Sequence, residues 1–174
     1  MDETTLVALS ISAGFAATLL GVVAGFELER LRDTQAQKER LVGALQMIRD
    51  EIDRNVSLCR QIQEELSKNP TFVQYYNLKT TTWQAVSSAL VDLNSPDLVK
   101  QIANEYFDYE HMKRRIDARF EFFKSSGSFN KVQNNAFAAI TGSVMKSVEL
   151  LQTSGKNVLE SIDKQLHELK PKVS

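Results

Sequence analysis

An apolar run near the N-terminus dominates the pattern of hydrophobic and polar positions along the chain. Residues 4–26 carry no charged side chain, and at Glu27 the run gives way to alternating acids and bases. As a helix rising about 1.5 Å per residue, these residues extend roughly 35 Å, enough to cross a hydrocarbon core of about 30 Å. A buried core helix usually keeps a polar edge, and a signal peptide carries basic residues before its apolar run, whereas this chain begins Met1-Asp2-Glu3. The run predicts a retained transmembrane helix.

Basic residues follow the apolar run and do not precede it. The segment after the run contains Arg30, Arg32, Lys38 and Arg40. Because basic residues remain preferentially on the cytoplasmic side of a membrane, this asymmetry sets the orientation. It predicts an outward N-terminus with the transmembrane helix in residues 1–26 and a cytoplasmic helical bundle in residues 27–174. We therefore expect a single-pass protein of the plasma (inner) membrane, with the lipid bilayer as a partner.

Small residues form a stripe within the apolar run. They recur every four positions, at Ala13, Ala17, Gly21 and Gly25. Small side chains let two membrane helices approach closely and gain dispersion contacts, although glycine and alanine are also simply common in membrane helices. The stripe predicts an oligomer contact, in a homo-oligomer or in a larger membrane complex.

Beyond the run, hydrophobic residues recur every three or four positions, which is the spacing of a coiled-coil or bundle seam. No helix breaker lies between the apolar run and the sequence Ser-Lys-Asn-Pro at residues 67–70, so the transmembrane helix is expected to continue into this seam. Its members are Leu41, Leu45, Ile48, Ile52, Asn55, Cys59, Ile62 and Leu66.

The remaining sequence predicts three more helices. A threonine caps the first, whose inner face is Trp83, Val86, Leu90 and Leu93, and the second begins at Pro96. The third runs from about residue 130 to 169, with a bend at Gly155 and a capping box at residues 157–160 that restarts it. The predicted fold is all-α, a single N-terminal transmembrane helix continuing into a cytoplasmic antiparallel helical bundle.

Composition and motifs argue against catalysis and against binding of a nucleic acid duplex. The 21 basic and 22 acidic residues create no overall positive field, and one cysteine cannot form an intramolecular disulfide. Asp108 and His111 have the spacing of one half of a di-metal site but lack the other ligands. Asn55 on the seam is interpreted as a residue that fixes helix register, and Cys59 as a small buried hydrophobe. We expect no enzyme activity, metal or cofactor.

A basic cluster lies in the sequence HMKRRIDARFEFFK, residues 111–124. Lys113, Arg115 and Arg119 are candidates for binding an anionic small molecule, since Arg115 and Arg119 share a helix face at one-turn spacing. In an oligomer, such pairs would converge into one anion-binding ring. The alternative is a solvated helix face on which neighbouring acids balance the charge.

The sequence LVGALQMIRDEIDRNVSLCRQI, residues 41–62, and the later TTTW helix start resemble those of a broad group of small prokaryotic proteins. Members of that group have one N-terminal membrane helix followed by a cytoplasmic α-helical domain, so the resemblance implies architecture and location. Some antiviral effectors share this layout of a membrane helix and a small sensor domain.

Three functional hypotheses follow from these features. The first is a membrane-anchored interaction module, scaffold or accessory subunit that self-associates through its transmembrane helix. The second is a ligand-gated membrane effector whose bundle senses an anion such as a nucleotide messenger. The third, with the least support, is a metal- or cofactor-binding bundle.

Overall fold

The structure is a computed structural model that describes residues 3–71, 74–125 and 131–169, with side chains described from residue 21 onward except residue 23. Helices account for most of these residues, and no strand occurs among them. They are α1 (Glu3–Lys68), α2 (Thr81–Val86), the 3-10 helix η1 (Ser87–Asp92), α3 (Pro96–Ser125) and α4 (Lys131–Leu169). The predictions of an all-α class and of a helical bundle are confirmed.

The chain divides into two compact units, residues 1–40 and residues 41–174. The first unit is helical, and its described side chains are almost all exposed, including the apolar Val22, Phe26 and Leu31. Among the residues that the structure describes, no helix has a stretch both long and hydrophobic enough to cross a membrane. Most of the predicted span, residues 4–20, lies outside the described side chains.

The predicted seam forms the core of the second unit. All eight members are buried, and Leu45, Ile48, Ile52 and Ile62 have no exposed surface. Burying one such aliphatic side chain contributes about 1.5–3 kcal/mol, so the seam is a major source of stability for this unit. The prediction from the three- and four-residue spacing is confirmed.

Contacts between distant residues define the relative directions of the helices in the second unit. Arg49 Nε donates to Asp163 Oδ1 at 2.6 Å and Gln152 Nε2 donates to Gln63 Oε1 at 2.7 Å, so residues 41–68 of α1 run antiparallel to α4. The hydrogen bonds of α3 with α4, described below, likewise pair the end of one helix with the start of the other. The predicted antiparallel packing therefore holds for both neighbours of α4.

A non-helical segment, residues 74–80, leads from α1 to α2 and returns along α1. Asn55 holds it, since its Nδ2 donates to the Lys79 carbonyl at 2.7 Å and its Oδ1 accepts from the Lys79 amide at 2.9 Å. This pairing satisfies a side chain that has no exposed surface. Asn55 therefore fixes a connection within the chain.

The single helix predicted around Trp83 is divided into α2 and η1. Leu90 and Leu93 are buried as expected, whereas Trp83 and Val86 are half-buried. The expected threonine cap is also absent, because Thr80 occupies the N-cap position without a side-chain cap. Instead, Glu51 of α1 accepts from the Thr82 amide at 3.1 Å, which places a carboxylate at the helix N-terminus.

The α4 helix is continuous from Lys131 to Leu169. The predicted restart of the helix by a capping box at residues 157–160 is therefore wrong, whereas the bend at Gly155 stays a prediction. Gly155 is a point of close approach, where an added Cβ would lie 2.5 Å from Val56 Cγ2, 3.0 Å from the Tyr109 hydroxyl and 3.2 Å from Glu105 Oε1. The glycine is needed for packing against α1 and α3.

Candidate ligand groove between α3 and α4

The three residues of the predicted anion site have different environments on α3. Arg115 is exposed, Lys113 is half-buried and Arg119 is buried, with 4 % of its surface exposed. The structure therefore does not present Arg115 and Arg119 together as one open charged face.

Arg119 is a structural residue of the core. Its Nε donates to Thr141 Oγ1 at 3.0 Å and its Nη2 donates to the Pro70 carbonyl at 2.8 Å. The guanidinium carbon lies 4.7 Å from the centre of the Phe137 ring, within the range of a cation–π interaction. Burial lowers the pKa of the guanidinium. Arg119 thus joins α3 to α4 and to the turn that follows α1.

Arg115 is held on one side by two serines of α4. Its Nη1 donates to Ser143 Oγ at 2.7 Å and to Ser147 Oγ at 2.8 Å. The Ser147 hydroxyl in turn donates to the Ser143 carbonyl at 3.0 Å, which orients its lone pairs toward the guanidinium. Within the described part of the chain, Arg115 Nε and Nη2 donate to no acceptor. One edge of the guanidinium is anchored, and the other edge is available to a ligand.

Arg115 forms part of the wall of a groove of about 290 Å³ between α3 and α4. The floor contains the buried side chains of Met112 and Leu151, and Leu150, which is 63 % exposed, forms an apolar wall. The full set of lining residues is Asp108, His111, Met112, Arg115, Ser147, Leu150, Leu151 and Ser154. The sequence predicted Arg115 but missed the α4 residues, because only the spacing of Ser143 and Ser147, one helical turn apart, marks them.

A buried polar cluster lies next to the groove. The Glu105 carboxyl and the Tyr109 hydroxyl meet at Gly155, and neither Glu105 Oε1 nor the Tyr109 hydroxyl has a described partner with normal hydrogen-bond geometry. Burial raises the pKa of Glu105, and the Ser154 and Tyr109 hydroxyls act in the opposite direction. Asp108, a groove residue, raises that pKa further. The fold therefore favours the protonated form of Glu105 more than the unfolded chain does.

We expect Glu105→Gln to stabilise the protein at neutral pH and to have less effect near pH 4. The folded pKa of Glu105 lies above the ordinary value of 4.5, so the folded state binds the extra proton and stability falls as pH rises from that value through the folded pKa. The amide resembles the protonated acid and removes this loss. Urea unfolding of the parent protein and of Glu105→Gln between pH 4 and pH 8 measures the difference in their free energies of unfolding. An equal difference at every pH would show that ionisation of Glu105 is not the cause.

His111 and Cys59, the other candidates for chemistry, have different environments. His111 is exposed and its ring centre lies 4.4 Å from that of Phe107. Cys59 is buried, and burial raises the pKa of its thiol to about 12, which keeps it protonated and unreactive. Within residues 3–71, 74–125 and 131–169, no group of three or more histidine, cysteine or acidic side chains is arranged to hold a metal ion.

The fold defines the class of the protein as an all-α bundle, and the groove beside Arg115 has a mixed polar and apolar lining. Comparisons of the chain with protein-family models, with curated proteins and with solved structures find no match.

Proposed function

We propose that the protein is a membrane-anchored helical interaction module, a scaffold or accessory subunit that self-associates through its N-terminal helix. The observation that carries the proposal is the exposure of apolar side chains on the first unit. Phe26 is 68 % exposed and Val22 is 49 % exposed, directly after the charge-free residues 4–20. A lipid bilayer would cover such side chains, and the basic residues that follow would contact anionic headgroups.

The two described glycines of the small-residue stripe support self-association. A Cβ added at Gly21 or at Gly25 would meet no described atom within 4 Å, whereas at Gly155 it would collide with Val56 and crowd the Tyr109 and Glu105 side chains. Packing among the residues that the structure describes therefore does not require Gly21 and Gly25, and a neighbouring helix could approach them. Ala13 and Ala17, the other members of the stripe, lie outside the described side chains.

Carbonate extraction of membranes that contain the full chain tests the anchor. We expect the protein to remain in the membrane pellet, because residues 4–26 would cross the bilayer. As a matched control, Leu9→Arg with Leu19→Arg places charges in the apolar run and should release the protein, since each arginine near the centre of a membrane helix costs about 2.5–3.5 kcal/mol. Full release of the unmodified chain would contradict the proposal.

We expect Gly21→Leu combined with Gly25→Leu to weaken self-association in the bilayer by about tenfold or more without preventing insertion. Leucine inserts well but holds two helix backbones apart, and the open surroundings of both glycines mean that the monomer accommodates it. Crosslinking in membranes measures the dimer fraction. Gly21→Ala with Gly25→Ala keeps the residues small and serves as the control, so equal dimer fractions in both variants would exclude the stripe as the contact.

A second candidate function is a ligand-gated membrane effector whose bundle senses an anionic small molecule. The guanidinium of Arg115 at the wall of the groove favours this function, because its Nη1 side is anchored by serines while its Nε and Nη2 side remains available to an anion. Ligand binding there would act on α3 and α4 together, the two helices that line the groove.

A further inference from the structure

The donors of Arg115 limit how an anion can bind in the groove between α3 and α4. Three oxygens of α4 accept from Arg115 Nη1: the Ser143 hydroxyl at 2.7 Å, the Ser147 hydroxyl at 2.8 Å and the Ser143 carbonyl at 3.5 Å. The Nε and Nη2 hydrogens then form the remaining parallel pair, which matches the two oxygens of a carboxylate or of a phosphate group. Because the serines already hold the guanidinium in place, little side-chain freedom is lost on binding.

The net charge of the groove distinguishes between these two anions. Its lining contains one arginine, Arg115, and one acid, Asp108, which lies seven residues earlier on α3 and so about 10 Å away along the helix. The other lysines and arginines of the cluster, Lys113, Arg114, Arg119 and Lys124, do not line it. A nucleotide or cyclic dinucleotide carries several negative charges and would meet only one cation together with one carboxylate. The groove is therefore suited to a single negative charge.

Apolar surface and size define the rest of the ligand. Met112 and Leu151 form a floor that is shielded from solvent, and Leu150 exposes an apolar side chain at the wall. The volume of about 290 Å³ lies at the small end of ligand sites, which range from about 300 to 1,000 Å³. A single aromatic ring or a short aliphatic chain fits this space and would cover the exposed face of Leu150.

We propose that the groove between α3 and α4 binds a small monocarboxylate with an apolar body, its carboxylate paired with the Nε and Nη2 edge of Arg115 and its apolar part on Met112 and Leu151. Ser143 and Ser147 are positioning residues that set the orientation of the guanidinium. The proposal names the ligand class of the second candidate function and rests on it for the groove being a ligand site.

Calorimetric titration of the full chain in lipid nanodiscs tests the proposal with phenylacetate, and with 2-phenylethanol as the uncharged probe of similar shape. We expect phenylacetate to bind and 2-phenylethanol to bind at least about tenfold more weakly. Arg115→Gln should weaken phenylacetate binding by about tenfold or more, and Arg115→Lys should also weaken it because an ammonium cannot form the paired contact. Arg114→Gln removes the same charge one residue away, outside the groove, and should leave the affinity unchanged.

Four results would overturn the proposal. Equal binding of both probes, or equal weakening by Arg114→Gln and Arg115→Gln, would show that no carboxylate is recognised by Arg115. Tighter binding of adenosine monophosphate or inorganic phosphate than of phenylacetate, lost in Arg115→Gln, would overturn the ligand class and leave the anion sensor standing. No binding of any probe at concentrations up to about 10 mM would overturn both. Ser143→Ala with Ser147→Ala should weaken phenylacetate binding with the charge retained, which gives a second variant if Arg115→Gln does not fold.

Discussion

Replacing Arg119 with glutamine is expected to lower the free energy of unfolding by about 2–4 kcal/mol. The variant loses two hydrogen bonds from a charged donor, one buried and one partly buried, each worth about 1.5–3 kcal/mol. The acceptors, Thr141 Oγ1 and the Pro70 carbonyl, are left partly unsatisfied, and the contact with the Phe137 ring is removed. Relief from burying a charge offsets part of this loss. Chemical unfolding of the full chain followed by circular dichroism measures the difference.

The matched control is Arg115→Gln, four residues earlier on the same helix. Arg115 is exposed and its partners are serines at the surface, so we expect a change of no more than about 0.5–1 kcal/mol. Equal destabilisation by both substitutions would show that Arg119 is no more important to the core than a surface arginine. The pair thus separates a structural arginine from one that is available to a ligand.

Replacing Gly155 with leucine is expected to lower the free energy of unfolding by about 3 kcal/mol. This loss outweighs the higher helix propensity of leucine, which alone would stabilise the helix by up to about 1 kcal/mol. The reason is steric, because the Cβ alone would approach Val56 Cγ2 to 2.5 Å and lie against the Glu105 and Tyr109 side chains. The Val56 side chain is branched at Cβ, so it has little freedom to rotate away from the added leucine. The helices would have to move apart to admit the side chain.

Gly142→Leu tests the same substitution in the same helix without the collision. Gly142 is exposed, and a Cβ there would meet nothing within 4 Å, so we expect the gain in helix propensity to stabilise the protein slightly, by up to about 1 kcal/mol. Thermal unfolding of both variants measures the opposite shifts. A Gly155→Leu protein as stable as the parent would contradict the close approach.

Local periodicity made the helices and the first seam predictable. The three- and four-residue spacing from Leu41 to Leu66 selects one face of a helix, and each of its members is buried. The stop before Pro70 and the start at Pro96 were equally readable, because proline restricts its own backbone and that of the preceding residue. The membrane anchor remains a prediction from the charge-free run of residues 4–26.

The candidate site around Arg115 was predictable only in part. Periodicity shows on which face of its own helix a residue lies, but not which residue of another helix it contacts. Arg115 and Arg119 look equivalent in sequence, yet Arg119 reaches the Pro70 carbonyl, 49 positions away, and Arg115 reaches two serines of α4. The same holds for Asn55, whose amide pairs with the Lys79 backbone.

Sequence pattern alone thus specified the helical class, the seam and the helix boundaries next to Pro70 and Pro96, because these depend on interactions within a few residues. The burial of Arg119, the close contact at Gly155 and the groove beside Arg115 depend on the register between helices that are distant in the chain. That register is set by how side chains from three segments fill one interior at close-packed density, where a shift of less than one methyl group changes the contacts.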